Sequence, residues 1–158
     1  MARHLEKNAD DKHLTTGQVL DALIAHGWID GVRRKLDDDR VMQLISPRRT
    51  QYWAKTYKDR AERLEVEGRM RPPGRASVEA GKASGLWSYM DDVDALITPE
   101  DLDEALTGAA AAFFHGAAPS YRRNILRWIK LAKTAPTRAK RITEVVARSR
   151  AGEKVPQM

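Results

Sequence analysis

No cysteine occurs in the 158 residues, which excludes disulfides, thiolate chemistry and every zinc fold ligated by cysteine. No apolar run approaches the ~20 residues that a membrane-spanning helix requires. The longest small-apolar stretch, Ala109 to Phe114, is far shorter. The opening MARHLEKNADDKHL has no apolar stretch of the kind a secretory signal needs. No membrane insertion and a cytoplasmic location are therefore expected. Catalytic signatures are missing too. The four histidines (His4, His13, His26, His115) are scattered, and none shares the i, i+4 spacing of a helical metal site. Asp37, Asp38 and Asp39 lack the glycine and distal glutamate of a calcium loop. There is no G-x-S-x-G, no phosphate-binding glycine loop and no dinucleotide fingerprint. No catalytic residue, metal ligand or cofactor is predicted, and the reading leans away from an enzyme.

What is present is an ordinary globular composition, 42% hydrophobic and 32% charged, in a length suited to one compact domain. Its parts are expected to be a small α/β region over 1–53, a helical connection over 54–117 and a C-terminal helix pair over 118–150. Charge is uneven. Residues 1–86 carry a net +4, residues 87–117 a net −7 and residues 118–158 a net +9, within a total of +6. An acidic middle and a basic tail can pair within one chain, so the excess of positive charge is weak evidence for an anionic partner.

The first helix should begin at Thr15 or Thr16, with Val19, Leu20, Leu23 and Ile24 on one face and Gly27 as its left-handed C′ residue. Val32 to Leu36 and Val41 to Ile45 flank the three aspartates, which predicts a β-hairpin near 28–46 that Pro47 ends. Ala2 to Glu6 is a candidate third strand. Thr56 and Asp59 suggest a capping box for a helix that holds Leu64 and Val66 and closes at Gly68. Pro72-Pro73 opens another short helix, ended near Gly81 or Gly85. Thr98-Pro99-Glu100-Asp101 reads as a Thr cap with Pro at the first helical position. Tyr121, Ile125, Trp128, Ile129 and Ala132 share a face of a helix over 119–133. Ala139, Ile142, Val145 and Val146 do so over 138–150, with Pro136 breaking the two apart. Ala151 to Met158 reads as a frayed end. The fold class is α+β: a small antiparallel sheet, then a mostly helical half ending in a helical hairpin.

Three stretches together resemble a bacterial family called YdeI/OmpD-associated, or bacteriocin-protection, proteins. They are Ala22 to Arg40 with its GWIDG run, Ser46-Pro-Arg-Arg49 with Trp53, and Tyr121 to Ile129 with Thr137 to Ile142; Glu67-Gly-Arg-Met70 also fits. The resemblance runs from about residue 15 to 150. It implies protection against antimicrobial peptides and association with an outer-membrane porin, but it supplies no substrate, reaction or catalytic residue. A chain of net +6 is ill-suited to gathering cationic peptides, because like charge opposes encounter.

Strict strand alternation puts Trp28, Asp30 and Val32 on one face. Asp30 then needs a partner, for which Arg33, Arg34 and Arg48 are candidates, either as a structural ion pair or as part of a polar pocket. The candidate ligand site is Trp28, Asp30, Arg34, Arg48, Arg49 and Trp53, at the junction of sheet and helices. Trp28 and Trp128 are expected in the core. Trp53 and Trp87 fall at element boundaries, where an indole can line a groove with its N–H in water. The expected function is a non-enzymatic small bacterial binding protein linked to stress or to antimicrobial-peptide and antibiotic tolerance. Its partner is an unidentified small molecule, peptide or protein. The alternative is a nucleic-acid-associated protein using Arg122, Arg123, Arg127, Lys130, Arg138 and Arg141, whose competing reading is a polar helix face neutralised by the acidic 91–104 segment. A second alternative is an enzyme of unrecognised type. An incompletely covered sheet edge would favour a homo-oligomer.

Overall fold

A capping box starts the first helix. In the computed structural model, which describes residues 2–5, 14–38 and 40–156, the Gln18 N–H donates to the Thr15 hydroxyl at 3.2 Å and the Thr15 N–H donates to Gln18 Oε1 at 2.8 Å. Helix α1 (Thr16–Ala25) buries Val19, Leu23 and Ile24 as expected. Gly27 follows with φ +74°, and a Cβ there would lie 2.7 Å from the Pro73 carbonyl oxygen, so both the turn and the close approach require glycine.

The chain divides by its internal contacts into two units, Met1–Tyr89 and Met90–Met158. The first holds a three-stranded antiparallel sheet of β1 (Ala2–Leu5), β2 (Trp28–Lys35) and β3 (Arg40–Pro47), in the order β1-β3-β2. The hairpin, its end at Pro47 and the third strand are as the sequence predicts, with Glu6 outside the described residues. Lys35 pairs with Asp38 at 2.6 Å, and Arg40 Nε donates to Asp37 at 2.7 Å, which balances the acidic turn. A register shift between Asp30 and Arg33 breaks the strict alternation. Val32, inside the shifted stretch, is 63% exposed, and Trp28, in the regular pairing before it, is 37% exposed, so the apolar face expected around Asp30 does not form and Trp28 is no core residue.

Helices α2 (Lys55–Val66) and α3 (Pro72–Ala83) complete this unit. The Thr56 box is not made: α2 begins earlier, with Ala54 as a cap lacking any side-chain bond, and Asp59 pairs instead with Lys55 at 2.8 Å. Leu64 is fully buried while Val66, on the other side of the helix, is 90% exposed. Ile24, Ala25, Trp53, Ala61, Leu64 and Met70 form the core. At its margin Asp21 of α1 accepts from Arg60 at 2.6 Å and from Arg63 with both oxygens at 2.7 Å, which locks α1 to α2.

The second unit is helical: α4 (Asp91–Asp94), α5 (Glu100–Ala105), α6 (Gly108–Gly116), α7 (Pro119–Lys130) and α8 (Ala135–Arg150). Helix α8 packs on α5, α6 and α7, and Leu102, Phe114, Ile125, Ile129 and Val145 are fully buried. Three sequence expectations shift. Pro99, not Thr98, caps α5. Pro136 lies in the first turn of α8 behind the Thr134 cap, so it starts that helix rather than separating the pair, and α7 ends at Lys130. The tail does not fray at Ala151: Val155 is 3% exposed and its N–H donates to the Tyr121 hydroxyl at 3.1 Å, because one apolar side chain finds a place in the core. Among the described residues no helix is long and apolar enough to cross a membrane.

Two outcomes follow from this packing. A Cβ at Gly81 would meet Trp53 Nε1 at 2.5 Å, so Gly81→Ala should cost about 1–3 kcal/mol in chemical denaturation; an unchanged midpoint would mean that α3 does not sit this close. Burial acts to raise the Asp21 carboxyl, but the hydrogen bonds and charges of Arg63 and Arg60 outweigh it and hold the group below its ordinary value. The contribution of a depressed carboxyl is present above its unfolded value, about pH 4, and is lost as pH falls through the folded one. Asp21→Asn should therefore remove about 1–2 kcal/mol at neutral pH, discounted for the half-exposed Arg63, and flatten the acid limb of the stability curve.

Candidate functional site

Arg48 directly follows β3, and its backbone N–H donates to the Gly27 carbonyl at 2.9 Å, which fixes the end of the hairpin to the turn after α1. Its side chain points inward and is 9% exposed. The guanidinium carbon lies 4.0 Å from the Trp53 ring centroid and 5.1 Å from that of Tyr57. Nη1 donates to the Gln51 and Tyr52 carbonyls at 3.3 and 3.2 Å, while Nε and Nη2 are buried against the rings with no hydrogen-bond partner among the described residues. Burial pulls the Arg48 guanidinium below its ordinary value, against the raising fields of Tyr57 and Asp30.

Asp30 is held from two sides. Gln43 Nε2 donates to one carboxylate oxygen at 3.1 Å, and the Tyr57 hydroxyl donates to the other. Burial pushes the Tyr57 hydroxyl well above the usual phenol value, and the bond to the Asp30 charge pushes it further. Sequence reasoning missed both partners. Gln43 did carry a signal, as the one polar side chain on the inward Val41, Gln43, Ile45, Pro47 face. Tyr57 stands in line with Ala61 and Leu64 on the core face of α2, but nothing local ties it to a carboxylate 27 residues earlier.

Of the six residues expected to form a ligand site, Asp30, Arg48 and Trp53 come together around Tyr57. Trp28, Arg34 and Arg49 are exposed. Trp53 is 1% exposed, so its indole fills the core instead of lining a groove with a wet N–H. The boundary tryptophan that does line one is Trp87, half-buried, with its ring centroid 5.0 Å from that of Trp53. Trp87, Ala61, Met70 and Val78 line a groove of about 430 Å³ between α2 and α3, within the range of small-molecule sites. Its polar lining is Glu62, Glu65, Arg75, Glu79 and Lys82. Helical spacing explains this: Arg75, Val78, Glu79 and Lys82 fall at i, i+3, i+4 and i+7 of α3.

The basic ridge of the second unit is occupied from within. Lys130 Nζ contacts both oxygens of Asp92 at 2.6 and 2.7 Å, and Arg138 grips Asp101 at 2.6 and 2.8 Å. The Arg138 bonds hold the Asp101 carboxyl below its ordinary value; at Asp92, burial opposes the lowering and the Lys130 bond prevails. Arg141 donates to the Trp128 carbonyl and lies 5.0 Å from its ring. Trp128 is thus half-buried under an arginine, not a closed core residue. Arg122 lies 5.7 Å from the Phe114 ring, and Nε of both Arg122 and Arg127 is buried; Arg123 is half-buried. A small cavity of about 190 Å³ lies beside the pairs, lined in part by Val93, Ile97 and Leu126. Among the described residues no group of three or more His, Cys, Asp or Glu is placed to hold a metal ion.

Replacing Tyr57 by Phe leaves the half-buried Asp30 with one donor, which should cost about 1–3 kcal/mol at neutral pH. A phenol with a raised folded value stabilises the fold below its unfolded value, near pH 10, and that contribution is lost as pH climbs beyond it. Denaturation at pH 7 and pH 11 should show the native chain losing more than the variant on this step; equal losses would remove Tyr57 as the cause.

Comparison with known families divides the chain much as its contacts do. Residues 2–77 match a domain of unknown function, DUF8412, and residues 95–152 match the family described as bacteriocin-protection, YdeI or OmpD-associated. No curated protein and no solved structure matches the chain. The stretches Tyr121–Ile129 and Thr137–Ile142 that suggested the family lie inside its match, whereas the GWIDG run, Ser46 to Trp53 and Glu67–Met70 fall in the other domain. The resemblance is therefore narrower than the sequence reading had it. The match to the bacteriocin-protection, YdeI or OmpD-associated family thus spans α5 to α8 of the second unit.

Proposed function

We propose that the chain is a non-enzymatic bacterial binding protein, acting in the cytoplasm, that supports tolerance of antimicrobial peptides or antibiotics. The tolerance half of this reading leans on the family match of residues 95–152. The binding half is carried by one observation, the open α2–α3 groove with Trp87 in its wall. Three of the residues expected at a ligand site act behind it in this reading. Asp30 orients Tyr57, Tyr57 and Trp53 hold their rings against Arg48, and Trp53 backs Trp87. They are positioning residues, not ligand contacts. Trp28, Arg34 and Arg49 are absent from the groove's lining. The nucleic-acid alternative is disfavoured because Lys130 and Arg138 already hold carboxylates of their own unit, which a phosphate backbone would have to displace.

The test is survival of a bacterial host producing the chain, challenged with a panel of antimicrobial compounds. The native protein should raise the tolerated dose of at least one compound. Val78→Gln, which puts an amide into the apolar lining, should abolish the gain while the purified variant keeps its circular dichroism and melting profile. The compound should be recovered chemically intact after incubation with protein. Protection that survives in the variant would overturn the groove as the site, and turnover of the compound would overturn the non-enzymatic reading.

A further inference from the structure

We infer that the α2–α3 groove takes a small molecule with an apolar body and a single cationic amine, whose charge is received by Glu62. This rests on the groove being the binding site and adds the chemistry of what fills it. Of the three carboxylates in its lining, two are already matched. Arg75 Nε donates to both oxygens of Glu65 at 2.8 and 2.9 Å, and Lys82 Nζ reaches Glu79 at 3.1 Å. Glu62 has no hydrogen bond or ion pair among the described residues. The two basic groups of the lining are thus taken by Glu65 and Glu79, and Glu62 is the one lining carboxylate without a partner among the described residues. A cationic ligand completes this set, whereas an anionic one adds a second unmatched charge beside the apolar wall.

The same geometry decides how the ligand lies. Lys58 and Lys82 already bring ammonium groups to 5.8 and 5.6 Å from the Trp87 ring. A third cation over that indole would be repelled, so the ligand's apolar body packs toward Trp87, Val78 and Met70 and its amine turns to the α2 side. It also limits the charge to one. A polycation would meet Arg75, Lys82 and Lys58 around a single open carboxylate, on a chain whose net charge is +6. The volume of about 430 Å³ suits a drug-sized molecule better than a folded peptide.

The experiment uses three probes of one shape, phenylbutylamine, phenylbutanol and phenylbutanoate, titrated into the full chain with tryptophan fluorescence as the readout. The amine should bind tightest, then the alcohol, then the carboxylate, and the signal should largely vanish in Trp87→Phe. Glu62→Gln, a change at an exposed position, should weaken the amine about three- to fivefold and leave the alcohol unchanged. Alcohol or carboxylate binding as well as the amine, or an amine affinity unmoved by Glu62→Gln, would overturn the ligand class while leaving the groove as a binding site. A short polycationic amphipathic peptide that binds the groove more tightly than the amine would overturn the single-charge limit. No saturable change with any probe would overturn the groove itself, and the ligand class with it.

Discussion

A guanidinium cannot discard its charge, so enclosing one commits everything around it. Arg48 is nine-tenths enclosed, and its neighbours divide the work of accommodating it. Two backbone carbonyls accept from Nη1, two aromatic faces receive the flat cation, and Asp30 supplies a negative field from behind Tyr57. Because Trp53 and Tyr57 both hold their rings against this cation, the end of β3, the connection to α2 and the first turns of α2 are fixed relative to one another. The Trp53 backbone N–H extends the constraint by donating to the Leu86 carbonyl at 3.0 Å. Removing a single member would leave a buried charge or donor unmatched, which costs more than such an arrangement contributes when complete.

The groove is a consequence of that arrangement. Trp53 fills the core and leaves no room at Gly81 for a side chain, so α3 lies close to it and Trp87 leans on its ring. What remains open between α2 and α3 is bounded by two core residues, Ala61 and Met70, by Val78 and Trp87 packed against that core, and by charged side chains. The two units handle charge differently. The second matches its basic helices to its own acidic segment through Asp92 and Asp101, and in the first Glu62 has no partner among the described residues.

Much of the fold was legible from local rules. The Thr15 cap, the left-handed Gly27, the hairpin about its aspartates and its end at Pro47 each follow from short-range backbone geometry. So do the helical punctuation by Gly68 and the amphipathic faces of α7 and α8. The misplacements were also local in kind. Thr56 and Thr98 had cap-forming side chains, yet the chain turned into its helix one or two residues away from them. At the candidate site the alternation rule assumed a regular strand. A register shift between Asp30 and Arg33 leaves Val32 exposed, and Gly31 inside that stretch is the one local sign of it, since a glycine within a strand often marks a bulge.

The amino-acid sequence by itself determined the inventory. No cysteine chemistry is available, an acidic middle faces a basic tail in the charge pattern, and Asp30, Arg48 and Trp53 are of the types that need partners. Those features depend on composition and on neighbours a few residues apart. Only the tertiary structure decided which partner each one received. Asp30 went to Tyr57 and Gln43 rather than to an arginine, and Trp53 went inward while Trp87 stayed at the groove. Lys130 and Arg138 went to carboxylates 38 and 37 residues before them. Such choices turn on burial and on contacts between distant segments, for which sequence periodicity carries no coordinate.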